Sequence, residues 1–104
     1  MIHRGDVWDA DIPLAGVRPA VVVTRETAVP VLQSVTVIGI TSTVRGHSAE
    51  VELGRAEGLE HESVANADHL FTLPRKRLLR YRGRLGPERL GELNRALSVA
   101  LGLG

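Results

Sequence analysis

Cysteine is absent from the 104-residue chain, which excludes a disulfide framework and thiolate zinc sites and fits a cytoplasmic protein. Aromatic residues are almost as scarce, at 3%: Trp8, Phe71 and Tyr81 occur once each. Base stacking on rows of rings therefore cannot be the main mode of nucleic-acid recognition, and an aromatic-lined peptide groove is disfavoured for the same reason. No charged-then-apolar leader opens the chain, and no apolar stretch approaches the ~20 residues of a bilayer span. Neither secretion nor a membrane partner is expected. Glycine-rich phosphate loops and metal-ligand clusters are also missing, so no cofactor and no metal site is expected. Net charge is only +1, which argues for no partner class by itself.

What is present fits one small domain over residues 1–104. Apolar residues make up 43% of it, so the core must be aliphatic. Charge is segregated along the chain. Glu50, Glu52, Glu57, Glu60 and Glu62 form an acidic middle, and Arg75, Lys76, Arg77, Arg80, Arg82 and Arg84 a basic late segment. The basic run reads either as a phosphate-tracking surface, led by Arg75 and Arg77, or as a solvated or intersubunit face.

Alternation of apolar and polar residues predicts short strands along most of the chain. The first covers Gly5 to Asp11, near a sheet edge on account of its three aspartates. After a turn at Pro13–Gly16, the second runs from Val17 to Thr24, with Pro19 near its beginning where a missing N–H is tolerable. Ser34 to Val44 is the longest, and Ser48 to Leu53 follows with Val51 inward and Glu50 and Glu52 outward. Ser63 to Leu73 holds one or two short strands, Pro74 to Leu78 a helical turn, and Leu79 to Arg84 a further strand or turn. Gly86-Pro87-Glu88 then opens a helix. Leu90, Leu93, Leu97 and Leu101 form its apolar stripe, and Gly102 ends it. The fold class is mainly β with α: a small, closed or nearly closed barrel with a C-terminal amphipathic helix.

Two features carry chemistry. Arg18 sits where a turn delivers the chain into a buried strand, and Thr41, Ser42 and Thr43 end another. If those strands are neighbours, guanidinium and hydroxyl converge on a phosphodiester. Attack by a ribose 2′-OH on its own phosphate builds negative charge on the nonbridging oxygens, and a fixed guanidinium aimed there lowers the barrier. Arginine stays protonated and is a poor base. The proton acceptor is left open among His47, His69 and Asp6.

The stretch Arg4-Gly5-Asp6-Val7-Trp8 resembles the N-terminal signature of the MazF/PemK (Kid) toxin family. Gly16-Val17-Arg18-Pro19-Ala20-Val21-Val22-Val23 resembles its G-x-R-P strand, and Val37-Ile38-Gly39-Ile40-Thr41-Ser42 its I-T-x segment. Ser63 to Leu73, with Lys76-Arg77-Leu78 behind, is similar to its S-V…T…R-L stretch. His69 stands where the family often has glutamine and Phe71 where it often has arginine. The loop from Asp11 to Gly16 is short and lacks the family's Glu-Gln pair.

The resemblance implies an SH3-like (CcdB/MazF/Kid-like) barrel, a homodimer, and the toxin of a type II toxin-antitoxin system. It further implies metal-independent cleavage of single-stranded RNA, messenger RNA foremost, to 2′,3′-cyclic phosphate and 5′-OH ends. The C-terminal tail of a MazE-like antitoxin would occupy the RNA groove. By position, the catalytic residues are Arg18 and Thr41. Trp8, Ser42, Thr43, Arg45, His47, His69, Arg75 and Arg77 are the expected RNA contacts. Two rival readings are a toxin on the same barrel that poisons DNA gyrase without enzymatic activity, and an SH3-like binding module.

Overall fold

β-Branched runs separated by glycine and proline turns build six antiparallel strands in the computed structural model, which describes residues 1–104. These are β1 (Asp6–Ile12), β2 (Gly16–Val22), β3 (Ser34–Thr41), β4 (Glu50–Leu53), β5 (Ser63–Pro74) and β6 (Leu78–Arg84). Short 3₁₀ turns at Arg55–Glu57 and Arg75–Arg77 precede β5 and β6, and the helix α1 (Pro87–Leu101) closes the chain. The strands form one curled sheet, a half-barrel, in the order β4-β5-β3-β2-β1-β6. No helix is long and apolar enough to cross a membrane.

The period of two sorts the core onto the sheet's two faces. Val7, Val21, Ile38, Ile40, Val51 and Ala65 face α1, which covers them with Leu93 and Ala96. Ala10, Ile12, Ala20, Val22, Val35, Val37 and Leu73 face the other way, under Ile2 and Val29. Leu90 and Leu97 flank the first cluster, but Leu101 is 54% exposed. The leucine stripe therefore covers the sheet for less of its length than the spacing suggests. As expected, Pro87 opens the helix, and Gly102 ends it at φ +68.

Strand β1 lies near an edge, as its aspartates suggested, one place in from the edge strand β6. It lies between β2 and β6, and arginines of β6 and of the turn before it neutralise it. Arg84 reaches Asp6 at 3.4 Å, Arg82 reaches Asp9 at 3.1 Å, and Arg77 reaches Asp11 at 3.0 Å. Two oppositely charged strands, far apart in sequence, supply each other's counter-ions. Asp6 is 1% exposed and also accepts the His3 backbone N–H at 2.8 Å. Its neighbours clasp the helix: Arg4 donates to Asn94 at 2.8 Å, and Gly5 runs so close beneath Leu90 that a Cβ there would lie 2.8 Å from Leu90 Cδ2.

The connection between β4 and β5 packs against the edge strand β6 at a pair of glycines. A Cβ on Gly58, just after the first 3₁₀ turn, would lie 2.1 Å from the Arg82 carbonyl oxygen, and one on Gly83 would lie 2.6 Å from that of Glu57. Backbone stacks on backbone here, and Arg82 Nε donates to the Gly58 carbonyl at 3.2 Å.

Candidate active site

Strands β2 and β3 are hydrogen-bonded only along part of their length. Pairing runs from Val22↔Val37 to Ala20↔Gly39 and then stops. The cause is Pro19. Val23 donates its N–H to Thr36 O at 2.9 Å, so by alternation Pro19 is the residue that owes β3 an N–H and has none. The same register, continued past the break, sets Arg18 across from Thr41. Both belong to the face that carries Ala20 and Gly39. The ladder thus stops short of the two positions that carry these side chains.

On the other side of β3 the sheet is deformed as well. Strand β5 is one continuous element of 12 residues, where one or two short strands were expected. Its register breaks: Ile38 pairs with Leu70, yet Ile40 pairs with Ala65. Asn66, Ala67, Asp68 and His69 therefore stand opposite the single residue Gly39, an enlarged bulge. Buried Asn66 holds it by accepting the Asp68 N–H at 2.9 Å, and Ala67 donates to Ala49 O at 2.8 Å. The bulge swings His69 over Gly39, whose Cβ position lies 3.9 Å from His69 Cβ and 3.6 Å from Phe71. Only a residue without a side chain leaves the space open.

The result is a cavity of about 210 Å³ lined by Arg18, Thr41 and His69, floored by Gly39 and Ile40 and walled by Ile12, Ala15 and Phe71. Arg18 is solvent-exposed and has no carboxylate partner, unlike Arg77, Arg82 and Arg84. Thr41 is half-buried, and its hydroxyl oxygen accepts the Thr43 N–H at 3.1 Å, leaving the O–H proton free to donate outward. A permanent cation, a hydroxyl donor and an imidazole thus share one small opening with apolar walls. Such a site suits a phosphate group that gains negative charge.

Ser42, Thr43, Arg45 and His47 lie on the exposed loop that leaves β3. Glu50 organises that loop. Its carboxylate accepts the Gly46 N–H at 2.7 Å and the Arg45 N–H at 3.1 Å, and His47 Nε2 lies 3.6 Å away. The sequence assigned Glu50 an outward position, yet its side chain is 4% exposed. Burial raises the carboxyl's pKa, but the Gly46 and Arg45 N–H groups and His47 more than offset this, so the net shift is downward. A depressed folded-state pKa means that the loop's anchoring is fully present above the ordinary carboxyl value of 4.5. It is lost as pH falls through the lower, folded value. Hydrogen exchange at the Arg45 and Gly46 amides is therefore expected to accelerate on acidification, beyond the intrinsic pH trend, and at all pH values in Glu50→Ala. Unchanged protection in that variant would contradict the anchoring.

The remaining expected contacts lie outside the cavity. Trp8 is half-buried, donates Nε1–H to Asp6 at 3.3 Å and meets Tyr81 edge-on with ring centroids 5.8 Å apart. It shares the cavity's face of the sheet. Arg75 and Arg77 are already partnered: Arg75 donates to the Val29 carbonyl, and Arg77 holds Asp11. Arg77 is thus charge-paired, while a neutral carbonyl leaves Arg75 without a counter-ion. Sequence reasoning missed Gly39 as the cavity floor, Ile12, Ala15 and Phe71 as its walls, and Glu50 as the loop anchor. Only Gly39 left a signal, as a glycine inside a strand pattern.

The model of the PemK-like, MazF-like toxins of type II toxin-antitoxin systems matches residues 3–101. The chain belongs to this family. It is 36% identical over 102 residues to the probable endoribonuclease MazF2 of Mycobacterium tuberculosis, covering 97% of this chain and 99% of that one. It is 33% identical to probable endoribonuclease MazF5 of the same organism, over 94% of this chain and 91% of the relative. Among solved structures, Mycobacterium tuberculosis toxin MazF-mt6 superimposes with a TM-score of 0.88 at 35% identity, covering 95% of this chain and 98% of that one. A mycobacterial endoribonuclease in complex with its cognate antitoxin gives a TM-score of 0.89 at 29% identity, over 100% of this chain and 98% of that chain. Membership of the MazF-like family accounts for the motifs as fold elements. The Arg-Gly-Asp stretch clasps the helix, and the Arg-Pro pair both ends the β2–β3 ladder and presents the guanidinium beside it.

Proposed function

We propose that this MazF-like toxin is an endoribonuclease that cleaves single-stranded RNA in the cytoplasm, without a metal ion, in the cavity between Arg18 and Thr41. The observation that carries the reading is the interrupted β2–β3 ladder, across which a free guanidinium faces a free hydroxyl. Support also comes from the relatives, which are named endoribonucleases. The gyrase-poisoning and binding-module readings have no comparable observation behind them.

The chemistry is a transesterification. The ribose 2′-oxygen attacks the adjacent phosphorus, the bond to the 5′-oxygen breaks, and a 2′,3′-cyclic phosphate and a 5′-OH remain. Charge accumulates on the nonbridging oxygens in the transition state. Arg18 offers them two N–H groups in a fixed fork, and Thr41 offers its O–H. Donors aimed at that charge lower the barrier, and the Arg18 guanidinium is free to settle on the phosphate as it binds. Ser42, Thr43, Arg45 and His47, on the Glu50-anchored loop, contact the flanking nucleotides, and Trp8 borders the groove. The working unit is a homodimer, and a MazE-like antitoxin blocks the groove with its C-terminal tail. The solved complex of a relative with its cognate antitoxin supports an antitoxin partner.

Purified protein is expected to cut a messenger RNA transcript at discrete positions in the presence of EDTA, read on a sequencing gel. Absence of cleavage in EDTA, with cleavage restored by magnesium, would overturn the reading.

A further inference from the structure

The geometry points to His69 as the base that accepts the 2′-OH proton, an inference that rests on the cavity being the cleavage site. Sequence chemistry left three candidates, and the structure separates them. Asp6 is 1% exposed, and its carboxylate is occupied by the His3 N–H, Trp8 Nε1 and Arg84. His47 accepts the Ala49 N–H on Nδ1 at 3.3 Å, so its proton resides on Nε2, which faces Glu50 at 3.6 Å. Neither ring nitrogen of His47 is a free acceptor.

The other histidines lie elsewhere. His3 is hydrogen-bonded to Glu26 at 2.7 Å, and His61 precedes β5 outside the cavity. Only His69 lines the opening with Arg18 and Thr41. It is exposed, no side-chain hydrogen bond engages it, and the β5 bulge exists where it is displayed.

The step balances within these groups. A neutral imidazole nitrogen takes the proton as the O2′–H bond breaks and the O2′–P bond forms. The 5′-oxygen departs with a proton from water, and the imidazolium returns its own to solvent, so no net proton is consumed. Of the groups facing His69, β2 contributes Arg18 and β3 contributes Thr41; Ile12, Ala15 and Phe71 carry no charge. Asp68 precedes it on the bulge and is exposed.

The test uses the intact protein and a short RNA oligonucleotide spanning a cleavage position mapped on a messenger RNA transcript. Single-turnover rates are measured against pH for wild type, His69→Gln, His69→Ala and Asp68→Asn, with folding checked by thermal melting. General-base catalysis contributes roughly 10²–10⁴-fold, so His69→Gln is expected to lose at least ~100-fold in the maximal rate with half-saturation little changed. The wild-type rate should rise with pH along an acid limb, and that limb should disappear in both His69 variants. Added imidazole should partly restore His69→Ala.

A His69→Gln rate within threefold of wild type, or a loss that keeps the wild-type pH profile, overturns the assignment. So does loss of the acid limb in Asp68→Asn while the His69 variants keep it. Arg18→Ala in the same assay separates the two failures. If it is inactive while His69→Gln is active, only the base is wrong. If both are active, the cavity is not the cleavage site.

Discussion

Arg18→Ala is expected to lower the maximal cleavage rate at least ~100-fold, the scale for deleting one fixed donor to a charge that develops in the transition state. The native fold should be nearly unaffected, because Arg18 is exposed and holds no carboxylate. That separation of activity from stability makes the variant informative. Thr41→Val removes a neutral donor worth ~1 kcal/mol, so its loss should be nearer tenfold. Arg18→Lys keeps the charge but not the planar two-pronged donation, and should fall between wild type and alanine. Single-turnover cleavage of a mapped oligonucleotide measures all three. An alanine variant within threefold of wild type would remove Arg18 from the mechanism.

The largest expected loss of stability lies at the other end of the sheet. Gly58 has φ +90, and a Cβ there would sit 2.1 Å from the Arg82 carbonyl oxygen. Gly58→Ala therefore combines about 1–3 kcal/mol of backbone strain with overlap that only movement of β6 can relieve. That movement also strains the hydrogen bond from Arg82 Nε and the Arg82–Asp9 pair. A total of at least ~3 kcal/mol corresponds to a fall of roughly 12–24 °C in Tm for a domain of this size. Gly46 is the control. Its φ is +77, but nothing lies within 4 Å of its Cβ position, so Gly46→Ala should cost only the ~1–2 kcal/mol of the left-handed backbone. Equal melting shifts in the two variants would contradict the close packing of the β4–β5 connection on β6.

Local patterns carried much of this fold, and their failures share a cause. Leucine spacing and the Pro87 and Gly102 signals located α1 because a helix is specified by residues within a few turns of one another. Apolar alternation located β2 and β3 for the same reason. Which strands lie side by side depends on residues far apart, and here local reading fell short. The aspartates of β1 placed it near an edge but did not reveal that their counter-ions sit on β6 and the turn before it, more than sixty residues later. The basic late segment left phosphate contact and a solvated or intersubunit face both open, and did not reveal that Arg77, Arg82 and Arg84 face those aspartates.

The cavity shows the same division. Arg18 and Thr41 were legible from their positions at strand ends, given that β2 and β3 adjoin. The bulge that delivers His69 was not, since β5 has an unbroken strand composition and its extra residues show only against the partner register. Glu50 was misread because strand alternation predicts solvent on its side, whereas the loop folds back and encloses it.

Chemical identification of the ends left on a cleaved oligonucleotide bears most directly on the proposed reaction. Mass spectrometry of the two products is expected to show a 2′,3′-cyclic phosphate on the upstream fragment and a free 5′-hydroxyl on the downstream one, with no cut where the scissile ribose is replaced by 2′-deoxyribose. A 3′-hydroxyl and a 5′-phosphate, or efficient cutting of the deoxy-substituted strand, would show that water rather than the neighbouring hydroxyl attacks the phosphorus.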